Sequence, residues 1–285
     1  KPESAAVLTA IQSALVAGRL DVAAGQLTQA IQNGLVTEDS DWWHTRALVA
    51  YQHDQLDEAI DYWRRSMDRN LQPHYRHNLA SALCTRAALQ ADAHDLESAF
   101  AGLTDAVDLA PELFEAQAAL GIVATELQRW DVATSALKAA LRLDETGARI
   151  HDALGVLAAR QHRWAEAARH HANAIQRDPQ DAEIWNNLGH ALLQPGSSDK
   201  ARVALEQALA IKSDFAEAHN NLGNAKRDCG QFSEAKRHYL KALELKPTLT
   251  EAEFNFADLH RYQLDDAEFT RLARTPLPEN PASAA

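Results

Sequence analysis

Asparagine side chains recur at one position of a long period in this chain. Asn187, Asn221 and Asn255 follow one another at equal intervals, and Asn78 occupies the matching position nearer the amino terminus. An asparagine amide offers two N–H donors and one acceptor, while asparagine itself adds little helix propensity. Such a row can bind the main chain of an extended peptide, or it can join neighbouring helices by hydrogen bonds. The sequence leaves both roles open.

Other residue types that could do chemistry lack a supporting arrangement. Thirteen histidines are present, but no His-Glu-x-x-His motif is among them. His170 and His171 are adjacent and would point to different sides of a helix. His74 and His77 have no carboxylate or cysteine that would complete a ligand set. No ordered Ser-His-Asp set, P-loop or pair of catalytic carboxylates can be recognised. We therefore expect no metal site, no cofactor and no catalytic residue, so that the chain is not an enzyme.

Small residues mark the elements that would position the asparagine row. One row of alanines ends in four equal steps, each as long as a step of the asparagine row, and a second row of small residues follows seven positions later. Small side chains let two helices approach closely, and a fixed period of about 34 residues is typical of stacked helical hairpins. The first row is Ala23, Ala59, Ala99, Ala133, Ala167, Ala201 and Ala235. The second is Ala30, Ser66, Ala106, Ala140, Ala174, Ala208 and Ala242.

The period divides the chain into regions. Residues 1–112 hold divergent units, and residues 113–249 hold four regular units of equal length. The step from Ala59 to Ala99 is 40 residues. Counted from Leu79-Ala80, about seven residues are added before Ala99, which predicts a longer first helix and leaves room for a longer partner. Residues 250–274 are interpreted as a capping helix region, and residues 275–285 as a flexible tail or linker.

Within each unit, the residues resemble the tetratricopeptide repeat pattern. In residues 216–249 the pattern is carried by Leu222, Gly223, Ala235, Tyr239 and Pro247. The resemblance implies an all-α, right-handed superhelix of about seven helical hairpins plus a carboxyl-terminal capping helix. It also implies a concave groove that is lined by the first helix of each hairpin. Two tryptophans at the start of second helices, Trp130 and Trp164, and His171 within a second helix are expected to be packing residues.

The asparagine row also resembles the arrays of O-GlcNAc transferase-like proteins, in which groove asparagines hold a peptide main chain. Residues 256–274 are similar to the junction that follows the repeats in bacterial sulfotransferase proteins. We therefore expect Asn187, Asn221 and Asn255 to bind an extended peptide, and we expect a binding role for residues that flank them. The flanking residues are Asn186, His190, Asn220, Asn224, Arg227, Phe254, Asp258 and Arg261.

Composition restricts the class of partner. A net charge of −12 argues against nucleic acid, which is bound mainly by clustered lysine and arginine. The pair Arg64-Arg65 is interpreted as part of a solvated helix face. No apolar stretch is long enough to cross a membrane. Two cysteines that lie far apart in a stack fit a reducing compartment, such as the cytoplasm, and also fit a periplasm. Because the chain begins at Lys1, we expect that further residues precede it in the full protein.

The expected function is that of a non-catalytic scaffold that binds a protein or an extended peptide segment. One alternative is the substrate-recognition arm of a glycosyltransferase or sulfotransferase whose catalytic domain would follow Ala285. Another is self-assembly through the ends of the array. If the asparagine row binds a ligand, replacing Asn187, Asn221 and Asn255 by alanine should weaken binding and leave thermal stability nearly unchanged. Loss of both properties together would instead indicate a structural role.

Overall fold

The computed structural model of the chain describes residues 2–68, 72–144, 147–194 and 197–263. Across these residues the protein is all-α, with fifteen helices and no strand. Two compact units are formed by residues 1–153 and 154–285. The predicted tail, residues 275–285, and the end of the predicted capping region, residues 264–274, lie outside the described residues.

The helices form seven consecutive hairpins and end in a single helix, α15. The first four hairpins are α1 (Pro2–Val16) with α2 (Leu20–Gln32), α3 (Ser40–Gln52) with α4 (Leu56–Met67), α5 (Pro73–Asp92) with α6 (Leu96–Leu109), and α7 (Phe114–Glu126) with α8 (Trp130–Leu143). The others are α9 (Ala148–Arg160) with α10 (Trp164–Ile175), α11 (Ala182–Leu193) with α12 (Ser198–Ile211), and α13 (Ala216–Asp228) with α14 (Phe232–Leu245), followed by α15 (Thr250–Gln263).

Small residues lie where the helices of each hairpin meet. All seven alanines of the first row are 0 % exposed, and so are Ser66 and five alanines of the second row. A leucine followed by glycine, the Leu-Gly pair, recurs in the first helices, as at Leu222-Gly223, and its glycine has a related role. A Cβ atom added at Gly223 would lie 2.4 Å from Cε1 of Tyr239, and one added at Gly189 would lie 2.5 Å from Cγ of Leu205. The large side chain of the second helix therefore occupies the space that glycine leaves on the first.

The third hairpin carries its added residues in one helix. The first helix, α5, has 20 residues, whereas the first helix of the seventh hairpin, α13, has 13. The second helices of the two hairpins, α6 and α14, both have 14 residues. The turns that close these two hairpins are alike, because His94 and Gly230 both have positive φ, at 61° and 74°. The partner helix is thus not lengthened. Two added turns preserve the face that α5 presents to α6.

A buried histidine organises the second hairpin. Nε1 of Trp63 donates a hydrogen bond to Nδ1 of His44 at 3.1 Å, and the His44 ring lies 4.4 Å from the ring of Tyr75. Burial lowers the pKa of His44 from its usual 6.5 to about 4, with a further decrease from the neighbouring His74 and an opposing effect from Asp41. His44 is therefore neutral at neutral pH, as its acceptor role requires.

We predict that Ala201→Leu destabilises the protein by about 1–3 kcal/mol, because the added carbons would have to enter a filled contact. Ala201 is 0 % exposed and packs with Leu193, Leu205 and Leu222. The matched control is Val203→Leu on the same helix, where the side chain is 50 % exposed. Urea denaturation of both variants measures the difference. Equal stability of the two variants would contradict the placement of Ala201 in the contact.

We predict that His44→Asn makes stability less dependent on pH between about 6.5 and 4. As the pH falls, the unfolded chain binds a proton on His44 at its usual pKa, before the folded chain does, so stability is lost across this window. Asparagine supplies an acceptor for Trp63 but does not titrate. Denaturation at a series of pH values gives the free energy of unfolding as a function of pH. Its slope should be smaller for the variant than for the original protein, by the equivalent of up to one proton. An unchanged slope would mean that His44 does not titrate at a lower pH in the folded state.

Candidate functional site

A groove opens along the first helices of the last three units. Its volume is about 630 Å³, and every lining residue belongs to α11, α13, α15 or the residue that directly follows α11. Successive first helices present equivalent positions to it, because each unit repeats the one before. Seven of the residues expected from the sequence line the groove. They are His190, Asn220, Asn221, Asn224, Arg227, Phe254 and Asn255.

Two hydrogen bonds connect asparagines of adjacent units. Nδ2 of Asn221 donates to Oδ1 of Asn186 at 2.9 Å, and Nδ2 of Asn255 donates to Oδ1 of Asn220 at the same distance. The accepting residues are buried, at 8 % and 7 % exposure. Each donor comes from the evenly spaced row, and each acceptor comes from the preceding position of the previous unit.

These bonds use only part of each amide. Asn221 and Asn255 each retain a second N–H and a carbonyl oxygen, and both residues line the groove. Within the part of the chain that the structure describes, these remaining groups make no further hydrogen bond to protein. Asn221 and Asn255 therefore join neighbouring units, which is one of the two roles that the sequence left open, and they also present polar groups to the groove.

Asn224 is held in a similar way. The hydroxyl of Tyr239 donates to Oδ1 of Asn224 at 2.8 Å. Tyr239 is fully buried, and burial raises the pKa of its hydroxyl to about 12. The hydroxyl therefore stays protonated and fixes the orientation of the amide. Both N–H groups of Asn224 remain available to a ligand in the groove.

The charges that line the groove nearly cancel. Arg227 is the cation, and its Nη2 lies 3.3 Å from Oδ1 of the adjacent Asp228. Glu251 is a second acid in the lining. The pKa of His190 is lowered, first by burial and then by the neighbouring His171. A neutral His190 leaves a surface that is polar but carries little net charge, which suits an uncharged amide backbone better than a strongly charged ligand.

A second, smaller cavity lies beside the groove and shares His190 with it. Its volume is about 330 Å³, and its lining includes Trp164, His162 and Asn187. The ring of Trp164 lies 5.7 Å from that of His190 at an interplanar angle of 87°, and 5.5 Å from that of His162. Trp164 is only partly buried. Beyond its predicted role in packing, its indole forms one wall of this cavity.

The remaining expected site residues lie elsewhere. Asn187 lines the second cavity, not the first. Asn186 is buried beneath the groove and accepts a hydrogen bond from Asn221. Its position therefore suits the support of Asn221 and not direct contact with a ligand. Asp258 is partly buried on α15 and does not line either cavity. The side chain of Arg261 lies outside the described residues.

Sequence reasoning missed several lining residues at the ends of the first helices. They include Thr250 and Glu251 at the start of α15, and Leu193 and Gln194 at the end of α11. These positions lie one or two helical turns from the asparagine row. Extending the row along each first helix by two turns in both directions would have found them.

The described residues contain neither a group of metal-ligating side chains nor a helix that could cross a membrane. Among them, no three His, Cys, Asp or Glu side chains are grouped so that they could hold a metal ion. His171, the histidine that the sequence assigns to packing, is 1 % exposed and lies over Gly155. None of the described helices combines the length and the apolar character that crossing a membrane requires.

Comparison with known proteins identifies the class. Sequence families described as tetratricopeptide repeat match residues 8–83, 158–222 and 216–249. The chain belongs to the tetratricopeptide repeat superfamily, whose members serve in general as protein-interaction scaffolds. No curated protein matches the chain. The resemblance to the arrays of O-GlcNAc transferase-like and sulfotransferase proteins has no counterpart in these matches and stays a prediction.

Solved structures share the fold at low sequence identity. The Cut9–Hcn1 hetero-tetramer of the APC/C matches with a TM-score of 0.55 and 19 % identity, over 87 % of this chain and 48 % of that one. This chain thus spans about half of that protein. YrrB matches with a TM-score of 0.54 and 19 % identity, over 72 % of this chain and all of that one. PilF of Pseudomonas aeruginosa has the same TM-score and identity, over 70 % of this chain and 98 % of that one.

We predict that Asn255→Ala lowers the free energy of unfolding by about 1–2 kcal/mol, because it leaves the buried Oδ1 of Asn220 without a donor. This revises the expectation that alanine in the asparagine row leaves stability unchanged. In a double-mutant cycle with Asn220→Ala, the double variant should lose about 1 kcal/mol less stability than the sum of the losses of the two single variants. Additive losses would mean that the two amides do not interact.

Proposed function

We propose that this protein is a non-catalytic scaffold that binds an extended peptide segment along α11, α13 and α15. The observation that carries the proposal is the set of amide groups, fixed by hydrogen bonds at one end and open to the groove at the other. A peptide backbone alternates donors and acceptors, as these amides do. Recognition of this kind depends little on the ligand's side chains.

The spacing of the helices fits an extended ligand. Packed helices lie about 8–10 Å apart, and an extended chain advances about 3.3–3.6 Å per residue. About three ligand residues would therefore pass each first helix, and about six would pass between α11 and α15. Equivalent backbone groups of the ligand would then meet Asn221 and Asn255 in turn.

The second cavity would supply side-chain selectivity. Because it shares His190 with the groove, a ligand that leaves the groove at α11 would reach Trp164 next. The indole and the imidazoles around it favour an aromatic or other large apolar side chain, which packs edge-to-face or stacked against such rings. We propose that one anchor residue of the ligand enters this cavity.

One structural relative supports a binding role for this fold. YrrB is described as a tetratricopeptide repeat protein with an unusual peptide-binding site. Binding in the present chain is argued from its own groove, since the identity of the two proteins is low. The transferase-arm and self-assembly alternatives rest on the sequence alone and stay predictions.

We predict that Asn224→Asp weakens peptide binding at least tenfold, or about 1.4 kcal/mol, with little effect on stability. Aspartate keeps the oxygen that accepts from Tyr239 but replaces the two N–H donors with an anionic oxygen. The probe is the consensus peptide from a random peptide library that is selected on the immobilised chain. Isothermal titration calorimetry then compares the affinities of the variants.

The matched control is Asn173→Asp, which makes the same change of charge on α10, outside both cavities. Its affinity should stay within twofold of the original. Trp164→Leu should weaken binding only of peptides that carry the anchor residue. Equal affinity of Asn224→Asp and Asn173→Asp would contradict the proposed groove, as would a library selection that enriches no peptide.

A further inference from the structure

An arginine replaces leucine in the second hairpin. Arg46 stands directly before Ala47, at the position of the leucine in the Leu-Gly pair. A buried leucine at this position contributes apolar burial to its hairpin. Five other hairpins carry leucine there, namely Leu79, Leu120, Leu154, Leu188 and Leu222. The stability of the hairpin therefore gives no reason for the guanidinium.

The guanidinium of Arg46 lies against two aromatic rings. Its Cζ atom is 4.7 Å from the centre of the Trp43 ring and 4.6 Å from that of Tyr62. These two rings stack at 5.7 Å with an interplanar angle of 29°. Arg65, exposed on α4, lies with Cζ 5.0 Å from the centre of the same Trp43 ring. Two cations thus share one indole at the surface of the hairpin.

The ring contact itself recurs in another hairpin. In the seventh hairpin, His219 and His238 occupy the positions of Trp43 and Tyr62, and their rings also stack, at 5.3 Å. At the position of Arg46, however, the seventh hairpin has Leu222, which is 2 % exposed. What distinguishes the second hairpin is therefore the guanidinium of Arg46 and not the stacked rings, since the seventh hairpin also has a cation, Lys241, at the position of Arg65.

Neither guanidinium is neutralised within the described part of the chain. Arg46 and Arg65 form no ion pair there, although Asp61 and Asp68 lie one turn from Arg65 on either side. The adjacent Arg64 differs, because its Nη2 lies 3.8 Å from Oδ2 of Asp105. Arg64 and Arg65 are both exposed, as a solvated helix face requires, and Arg65 in addition lies over an aromatic ring.

Stacking leaves most of the edge of a guanidinium free. In Arg46 the edge is engaged at Nη2, which donates a long hydrogen bond of 3.5 Å to the hydroxyl of Tyr62. The N–H groups lie in the plane of the group, so a carboxylate can approach edge-on and accept two hydrogen bonds while the face stays on the ring. The aromatic contact also holds the side chain in place, which reduces the entropy that a ligand must overcome. These features describe a prepared site for carboxylates.

We propose that Trp43, Arg46, Tyr62 and Arg65 form a docking surface for an acidic peptide segment of a partner protein. Charge complementarity supports this occupant, because two unpaired cations stand out on a chain of net charge −12. A nucleic acid is disfavoured because its binding relies on many phosphate contacts, whereas this surface offers two cations. None of these four residues lines the groove of α11, α13 and α15.

The test uses a fluorescein-labelled hexaglutamate peptide and the full chain, with fluorescence anisotropy as the readout. Binding should weaken as salt is added, and a neutral Gly-Ser hexapeptide should not bind. Arg46→Leu restores the leucine of the other hairpins, so it should keep or raise the melting temperature while weakening hexaglutamate binding at least tenfold. Arg65→Gln should weaken binding by a similar factor, whereas Arg64→Gln should stay within twofold.

Three results would overturn the proposal. In the first, hexaglutamate fails to bind the original chain, and in the second, Arg46→Leu binds it as tightly as the original does. In the third, a thymidine hexanucleotide binds more tightly than hexaglutamate at the same salt concentration, which would assign the surface to nucleic acid. Arg46→Lys adds a check on geometry, because it keeps the charge but loses the planar fork. It should bind more weakly than the original and more tightly than Arg46→Leu.

Discussion

Close approach of the two helices in each hairpin is the constraint on which the rest of the structure depends. The alanine row is fully buried, and glycine in the first helix makes room for a large side chain of the second, as Gly223 does for Tyr239. Because the same contact recurs in successive units, the first helices present equivalent positions at a regular interval. A row of side chains in the sequence thereby becomes a row along the groove of α11, α13 and α15.

Under the proposed function, stability and recognition would draw on the same polar groups in that groove. Asn221 and Asn255 each donate one hydrogen bond to the preceding unit and keep the remaining donor and acceptor for a ligand. The bond from Tyr239 orients Asn224 in a comparable way. A ligand would meet amides that are already held in position, so it would lose less entropy on binding. Substitutions in the row are therefore expected to change folding and binding together unless they keep the structural bond.

The regular period of the alanine rows was sufficient to predict the all-α hairpins, because the contact between small residues repeats with it. The period also pointed to residues that prove to line the groove, among them Asn224 and Asn255. Which amides are joined could not be predicted, since this depends on the reach of side chains between units. The cavity beside Trp164 and the stacking of Arg46 could not be predicted from the sequence for a related reason. Both depend on side chains from separate helices, whose orientations the period does not determine.

The most direct test of the peptide groove is an NMR experiment on the full chain with the library-selected peptide. Amide signals from backbone and asparagine side chains would be assigned and followed during a titration. The account predicts that the largest shifts fall on α11, α13 and α15, and that they include the side-chain amides of Asn221, Asn224 and Asn255. Shifts that are concentrated on the second helices α12 and α14, with these three amides unchanged, would contradict it.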